Sequence, residues 1–189
     1  TIPGVYVPSF YQAEYDQSGR FSRLQVRSDA PAETPATIKK RIITEFDQSF
    51  FPEKPIMPWV TPVHDRIMLE VMRGCSHGCR FCQAGMIYRP VREKSVSTLL
   101  EQAREQARYS GYDDMALLSL STADYTCVQG LMGRLLEEHA PQGVGVSLPS
   151  LRVDAFSVGL AARTQEVRKS GITLAPEAGS QRLRDVINK

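Results

Sequence analysis

"DRIMLEVMRGCSHGCRFCQAG", residues 65–85, joins an apolar run to a loop that holds three of the chain's four cysteines. The run 65–72 reads as a strand, short and bounded by turn-forming residues. Cys75, Cys79 and Cys82 follow it in a CxxxCxxC spacing. A disulfide framework would use an even number of cysteines spread to staple distant segments. A tetrahedral zinc site would want a fourth ligand in a matching pair. The loop suits neither pattern well, so its place in the fold has to be read from what surrounds it.

Downstream, apolar runs alternate with helical periodicity. "VSTLLEQAREQARYS" (96–110) places Leu99, Ala103 and Ala107 four apart, with Gly111 as a stop. "DMALLSL" (114–120) is a buried strand by its apolar run. "YTCVQGLMGRLLEEH" (125–139) puts Tyr125, Val128, Leu131, Met132 and Leu135 on one face. Residues 144–148 read as strand, 156–170 as helix, 172–175 as strand and 180–188 as helix. The series is therefore α/β: about four β/α units, hence a parallel sheet covered by helices, as an open sheet or part of a (β/α) barrel. Ligands of such sheets collect at the carboxyl ends of the strands. The cysteine loop and the segments 121–125, 149–154 and 176–180 are then expected to converge.

Upstream the texture changes. "GVYVPSFYQAEY" and "FSRLQVRS" flank "DQSG", which predicts a hairpin. "TIKKRIITEF" (37–46) reads as a third extended piece. Pro52, Pro55, Pro58 and Pro62 forbid a helix and favour an extended linker. The domain reading is a small β-rich connecting segment and linker over 1–62, then the core over 63–189. The chain begins at Thr1 and stops at Lys189 inside a helical pattern, as a segment of something longer would.

Composition bounds the partners only loosely. With 23 Lys and Arg against 21 Asp and Glu, the formal charge is +2, a balance from which a nucleic-acid face cannot be inferred. Locally, Arg73, Arg80, Arg89, Arg92 and Lys94 face a single acid, Glu93, so this stretch is either welcoming to an anionic ligand or a solvated basic rim. No stretch approaches the ~20 apolar residues that span a bilayer, and no signal core is visible. Clustered cysteines suit a reducing compartment, so the expectation is cytoplasmic, with no membrane partner.

Three thiolates can hold three irons of a cubane 4Fe–4S cluster and leave the fourth iron open. Gly74 and Gly78 let the backbone curl around such a core. Arg73, Arg80 and backbone N–H groups can offset its negative charge. CxxxCxxC after the first strand, with Phe81 directly before the last cysteine, resembles the radical SAM superfamily signature. The resemblance implies that the open iron chelates S-adenosylmethionine, whose reductive cleavage gives a 5′-deoxyadenosyl radical that abstracts hydrogen from a substrate. It also implies a partial or full (β/α) barrel, with Phe81 near the adenine.

"LSLSTADY", "SLPSLRVDAF" and "LAPEAGSQRLRDVINK" extend the likeness to uncharacterised radical SAM proteins in which a cobalamin-binding-like domain precedes the barrel. That brings in cobalamin, through a domain outside this chain, and an electron donor such as flavodoxin or ferredoxin. The substrate class stays open among RNA, protein and small molecules. The family's Gly-Gly-Glu-like segment after the second strand is absent; Ser119, Ser121 or Thr122 stands in for it. By the same resemblance Arg152 pairs with the cofactor's carboxylate, and Glu177 accepts from its ribose hydroxyls.

Each residue also has a plainer reading. Arg152 can bridge to Asp154, Glu177 can cap the following helix, and Ser121 can serve as a turn residue. His77 is an exposed loop residue or the fourth ligand of a zinc site. Cys127 reads as a buried thiol on the second helix, and His64 and His139 as surface residues. Two other functions therefore compete: an iron–sulfur redox or regulatory protein without cofactor cleavage, and a zinc-stabilised binding module.

Overall fold

The computed structural model describes residues 2–149, 158–165, 167 and 174–189. The chain divides into two compact units, Thr1–Thr44 and Glu45–Lys189.

In the first unit, β1 (Tyr11–Tyr15) and β2 (Phe21–Val26) form an antiparallel hairpin, from Tyr11 opposite Val26 to Tyr15 opposite Phe21. The turn is built by Asp16, whose carboxylate accepts from the N–H groups of Ser18 and Arg20 and from the Ser18 hydroxyl at 2.6–2.9 Å. Gly19 supplies the positive φ of +78°. The predicted third extended piece is not a strand: residues 37–46 pair with no sheet, and Ile42 and Ile43 stay exposed. Strand formation needs a partner edge, and the Lys39-Lys40-Arg41 run keeps this segment solvated.

The second unit begins at Glu45, ahead of the proline-rich stretch. The reason is aromatic anchoring: Phe46 is buried, and Phe51 packs against the core. After that anchor come β3 (Ile67–Glu70), β4 (Met72–Arg73), α1 (Gln83–Ile87), β5 (Arg92–Glu93) and α2 (Val96–Ser110). Then follow β6 (Asp114–Leu118), α3 (Val128–His139), β7 (Gly145–Ser147), α4 (Val158–Thr164) and α5 (Gln181–Ile187). Gly111 ends α2 at φ +68°, as read from sequence, and Ser95 caps its start by accepting from Thr98 N–H at 3.3 Å.

β3, β6 and β7 lie side by side in that order, both pairs parallel. Ile67 stands opposite Met115 and Leu69 opposite Leu117, with Met115 next to Val146. These alternate positions share one face, and all five side chains are buried with Leu99, Leu100 and Ala103 of α2 and Leu131, Met132 and Leu135 of α3. Fully burying each such side chain contributes roughly 1.5–3 kcal/mol. The fourth predicted strand, 172–175, falls mostly outside the described residues. No helix among the described residues is long and apolar enough to cross a membrane.

Candidate functional site

The cysteine loop begins where β3 ends. Val71 donates to Leu118 O at 3.1 Å, holding the chain to β6 for one more residue. β4 then pairs antiparallel with β5, Met72 opposite Glu93 and Arg73 opposite Arg92. This short ladder clasps the segment 74–91 at its neck. Gly74 sits there at φ +94°, and a Cβ would stand 2.7 Å from Tyr88 O and 2.8 Å from Pro90 O. The neck therefore closes only around glycine. Cys75, Cys79 and Cys82 are half-buried free thiols within the clasped loop. Cys82 heads α1, its Sγ accepting from Gly85 N–H at 3.4 Å, and its own N–H reaches Cys79 O at 3.0 Å.

Other loops meet this one. Nε2 of His77 lies 2.9 Å from Oδ2 of Asp124, in the 3-10 turn after β6. That same turn buries Ser121, at 1% exposure, with its hydroxyl unpartnered. From the far end of the chain, Arg80 donates through its backbone to Ile187 O at 3.0 Å and through its side chain to Val186 O at 2.6 Å. Lys189 Nζ stands 2.8 Å from Glu177 Oε1 and 5.8 Å from the centre of the Phe81 ring. So Phe81 and Glu177, distant in sequence, share one lysine between them. Glu177 itself adopts a left-handed φ of +66°. Arg152 lies outside the described residues.

The basic stretch is not a free rim, because each of its five cations has a protein partner. Arg73 makes a two-pronged pair with Glu70 at 2.8 and 2.6 Å. Arg80 bonds Val186 O, and Arg92 holds Tyr88 O and Pro90 O. Arg89 takes three carbonyls of the cysteine loop itself. Lys94 is buried over the rings of Phe46 and Phe51 and donates to Gln102; burial pushes its ammonium below the usual lysine range.

Two further expectations are corrected. Cys127 is exposed, because it stands one residue ahead of α3 and so misses the buried stripe of that helix. His139 is buried, with neither ring nitrogen partnered. Its place was legible: Leu131, Leu135 and His139 are spaced by four, so the imidazole ends the apolar stripe. His64 is exposed, as read.

A family model, the Radical SAM superfamily, matches residues 69–189. The chain belongs to the radical SAM superfamily. Its parallel sheet is accordingly part of a partial (β/α) barrel. The chain is also similar to an uncharacterised protein of Methanocaldococcus jannaschii, 36% identical over 122 residues. That match covers 65% of this chain and 26% of the relative, so the chain spans about a quarter of the relative's length.

The family implies a cluster and S-adenosylmethionine, and the donor chemistry here fits both. Among the described residues, no three His, Cys, Asp or Glu side chains converge as a set for a single metal ion. A cluster makes a different demand: one thiolate for each of three separate irons. Three half-buried free thiols on one clasped loop are donors of that kind and number. His77, the fourth ligand in the zinc alternative, has its Nε2 engaged with Asp124. The buried, unpartnered Ser121 hydroxyl is a polar atom that lacks an acceptor or donor from the protein.

Proposed function

We propose that this chain carries the cluster-binding part of a radical SAM enzyme. The observation that supports the reading most is the placement of Cys75, Cys79 and Cys82 together on the clasped loop at the carboxyl end of β3. Cys75, Cys79 and Cys82 would each hold one iron of a 4Fe–4S cluster. With S-adenosylmethionine bound beside it, such a cluster would supply the electron for the cofactor's reductive cleavage and hence radical hydrogen abstraction.

The chain's own residues would bind and orient. Phe81 offers an apolar face for the adenine, and its ring is about half exposed. Glu177 offers a carboxylate to the ribose hydroxyls, shared with Lys189. Ser121 lends its spare hydroxyl to the amino-acid end, after the second strand of the sheet. Arg152 is assigned the carboxylate by family resemblance. The proposal includes a flavodoxin- or ferredoxin-type electron donor and a cytoplasmic setting. It assigns no residue of this chain to cobalamin, and the substrate class remains RNA, protein or small molecule.

Anaerobic reconstitution with iron and sulfide tests the reading. About four irons per chain, with 5′-deoxyadenosine released on reduction in the presence of S-adenosylmethionine, is the expected result. A cluster that never cleaves the cofactor would instead support a redox or regulatory role. A colourless, zinc-bound protein would overturn the reading.

A further inference from the structure

One arginine on the return limb of the clasped segment organises the stretch that carries the first cysteine. The Arg89 guanidinium donates from Nε to Cys75 O at 3.4 Å, and from one terminal nitrogen to Ser76 O at 3.4 Å and His77 O at 3.0 Å. A flat fork with fixed donors is suited to gathering several carbonyls at once, which an ammonium's compact point charge is not. The consequence lies on the other side of the same peptides. A trans peptide points its N–H opposite its C=O. Turning three carbonyls toward Arg89 therefore turns the N–H groups of Ser76, His77 and Gly78 away from it. Among the described residues those three N–H groups meet no acceptor.

Three consecutive donors within the cysteine spacing, on one exposed and two half-exposed residues, are open to an anion, as successive backbone N–H groups are where they bind one. Left without acceptors, such groups carry a standing penalty unless water or a bound anion meets them. The protein supplies none, while the thiolates on either side of them would carry a negatively charged group.

We propose that Arg89 is a positioning residue for the cluster, aiming the Ser76, His77 and Gly78 N–H groups as donors to its sulfur atoms. This rests on the cluster reading above. Hydrogen bonds to cluster sulfurs favour the more negative, reduced state and raise the reduction potential. Arg89 thereby sets how readily the electron is taken up, without touching cluster or cofactor. Its neighbours fit the role: Arg92 fixes Tyr88 O and Pro90 O on the return limb, so Arg89 is itself held in place from the neck of the loop.

Arg89→Lys and Arg89→Gln separate the fork from the charge. Both variants are reconstituted alongside the wild type, iron is counted, and the midpoint potential is read by EPR-monitored titration. Both should reduce at a lower potential than the wild type, the lysine variant included, since it keeps the charge and loses the fork. A lowered potential in the glutamine variant alone would reduce Arg89 to a nearby charge and overturn the proposal. So would unchanged potentials in both.

A second measurement needs no cluster. Trypsin cleavage after Arg80 in the metal-free protein should be several-fold faster in both variants, while circular dichroism and the urea midpoint of the rest of the chain hold. Unchanged cleavage overturns the proposal even where a variant fails to load iron. Should the wild type itself load no iron, the functional reading fails, and the cleavage rates alone still decide whether Arg89 orders the loop.

Discussion

His77 Nε2 and Asp124 Oδ2 stand 2.9 Å apart, and the pair ties the loop after β3 to the turn after β6. The two residues are far apart in sequence, yet parallel neighbours in the sheet bring the loops that follow them side by side. The tie is partly open to solvent, with the two side chains 36% and 24% exposed. At that exposure, solvent screens much of the attraction, so its value is positional before it is energetic. A double-mutant cycle with His77→Asn and Asp124→Asn, read by urea unfolding, should give a coupling of only about 0.2–1 kcal/mol. A coupling well above 2 kcal/mol would show that the pair is a mainstay of stability.

Gly74 and Gly111 both have positive φ, +94° and +68°, but only Gly74 is crowded. Gly111→Ala meets nothing within 4 Å and should cost about 1–2 kcal/mol, the ordinary left-handed penalty. Gly74→Ala adds a collision with two backbone oxygens, so roughly 3 kcal/mol or more is expected, together with poor iron loading. Equal urea midpoints for the two variants would contradict the clasped neck.

The three loop cysteines should be equivalent in need, and Cys127 dispensable. Alanine at Cys75, Cys79 or Cys82 should abolish stable iron binding and the ~400 nm absorbance, each thiolate serving its own iron. Cys127→Ala should retain both, since Cys127 is exposed ahead of α3. Retention of the cluster in Cys79→Ala would refute the assignment.

Glu177→Gln keeps the side chain's shape and removes its charge. A charge-assisted bond to a hydroxyl is worth on the order of 1.5–3 kcal/mol, so losing one should weaken S-adenosylmethionine binding about tenfold or more. Iron content should not change. Unaltered affinity would leave Glu177 with only its pair to Lys189.

Burial, more than the repulsion of Arg104, holds the His139 imidazole below its ordinary pKa, with Glu138 opposing. As pH falls, the unfolded chain takes up this proton first. Stability from this group is therefore intact above about pH 6.5 and declines below it, at no more than about 1.4 kcal/mol per pH unit, until the folded imidazole also protonates. His139→Leu should flatten that part of the stability–pH curve. At pH 7 it should also raise stability by about 1 kcal/mol, since both ring nitrogens are buried without partners. Parallel curves for the two proteins would rule out His139 as the source.

Local chemistry was open to reading in the sequence. The Asp16–Gly19 turn, the Gly111 end of α2, and the β/α alternation each depend on neighbours a few residues apart. The CxxxCxxC spacing likewise needs no fold to be seen. Cys127 was misread because its assignment hung on where α3 starts, and helix ends are the least determined part of a periodic pattern.

What the sequence by itself determined is thus the element series, the hairpin, and the loop with the three thiols. Tertiary structure alone decided which groups those elements would bring together: His77 with Asp124, Lys189 between Glu177 and Phe81, and Arg89 on the carbonyls of Cys75, Ser76 and His77. The physical reason is range. Propensity, capping and spacing act over one or two turns of chain, and the residues they involve are adjacent by construction. The partner of a long charged side chain is chosen by sheet order and loop closure, so the five cations that looked like one basic rim were distributed among five different local uses.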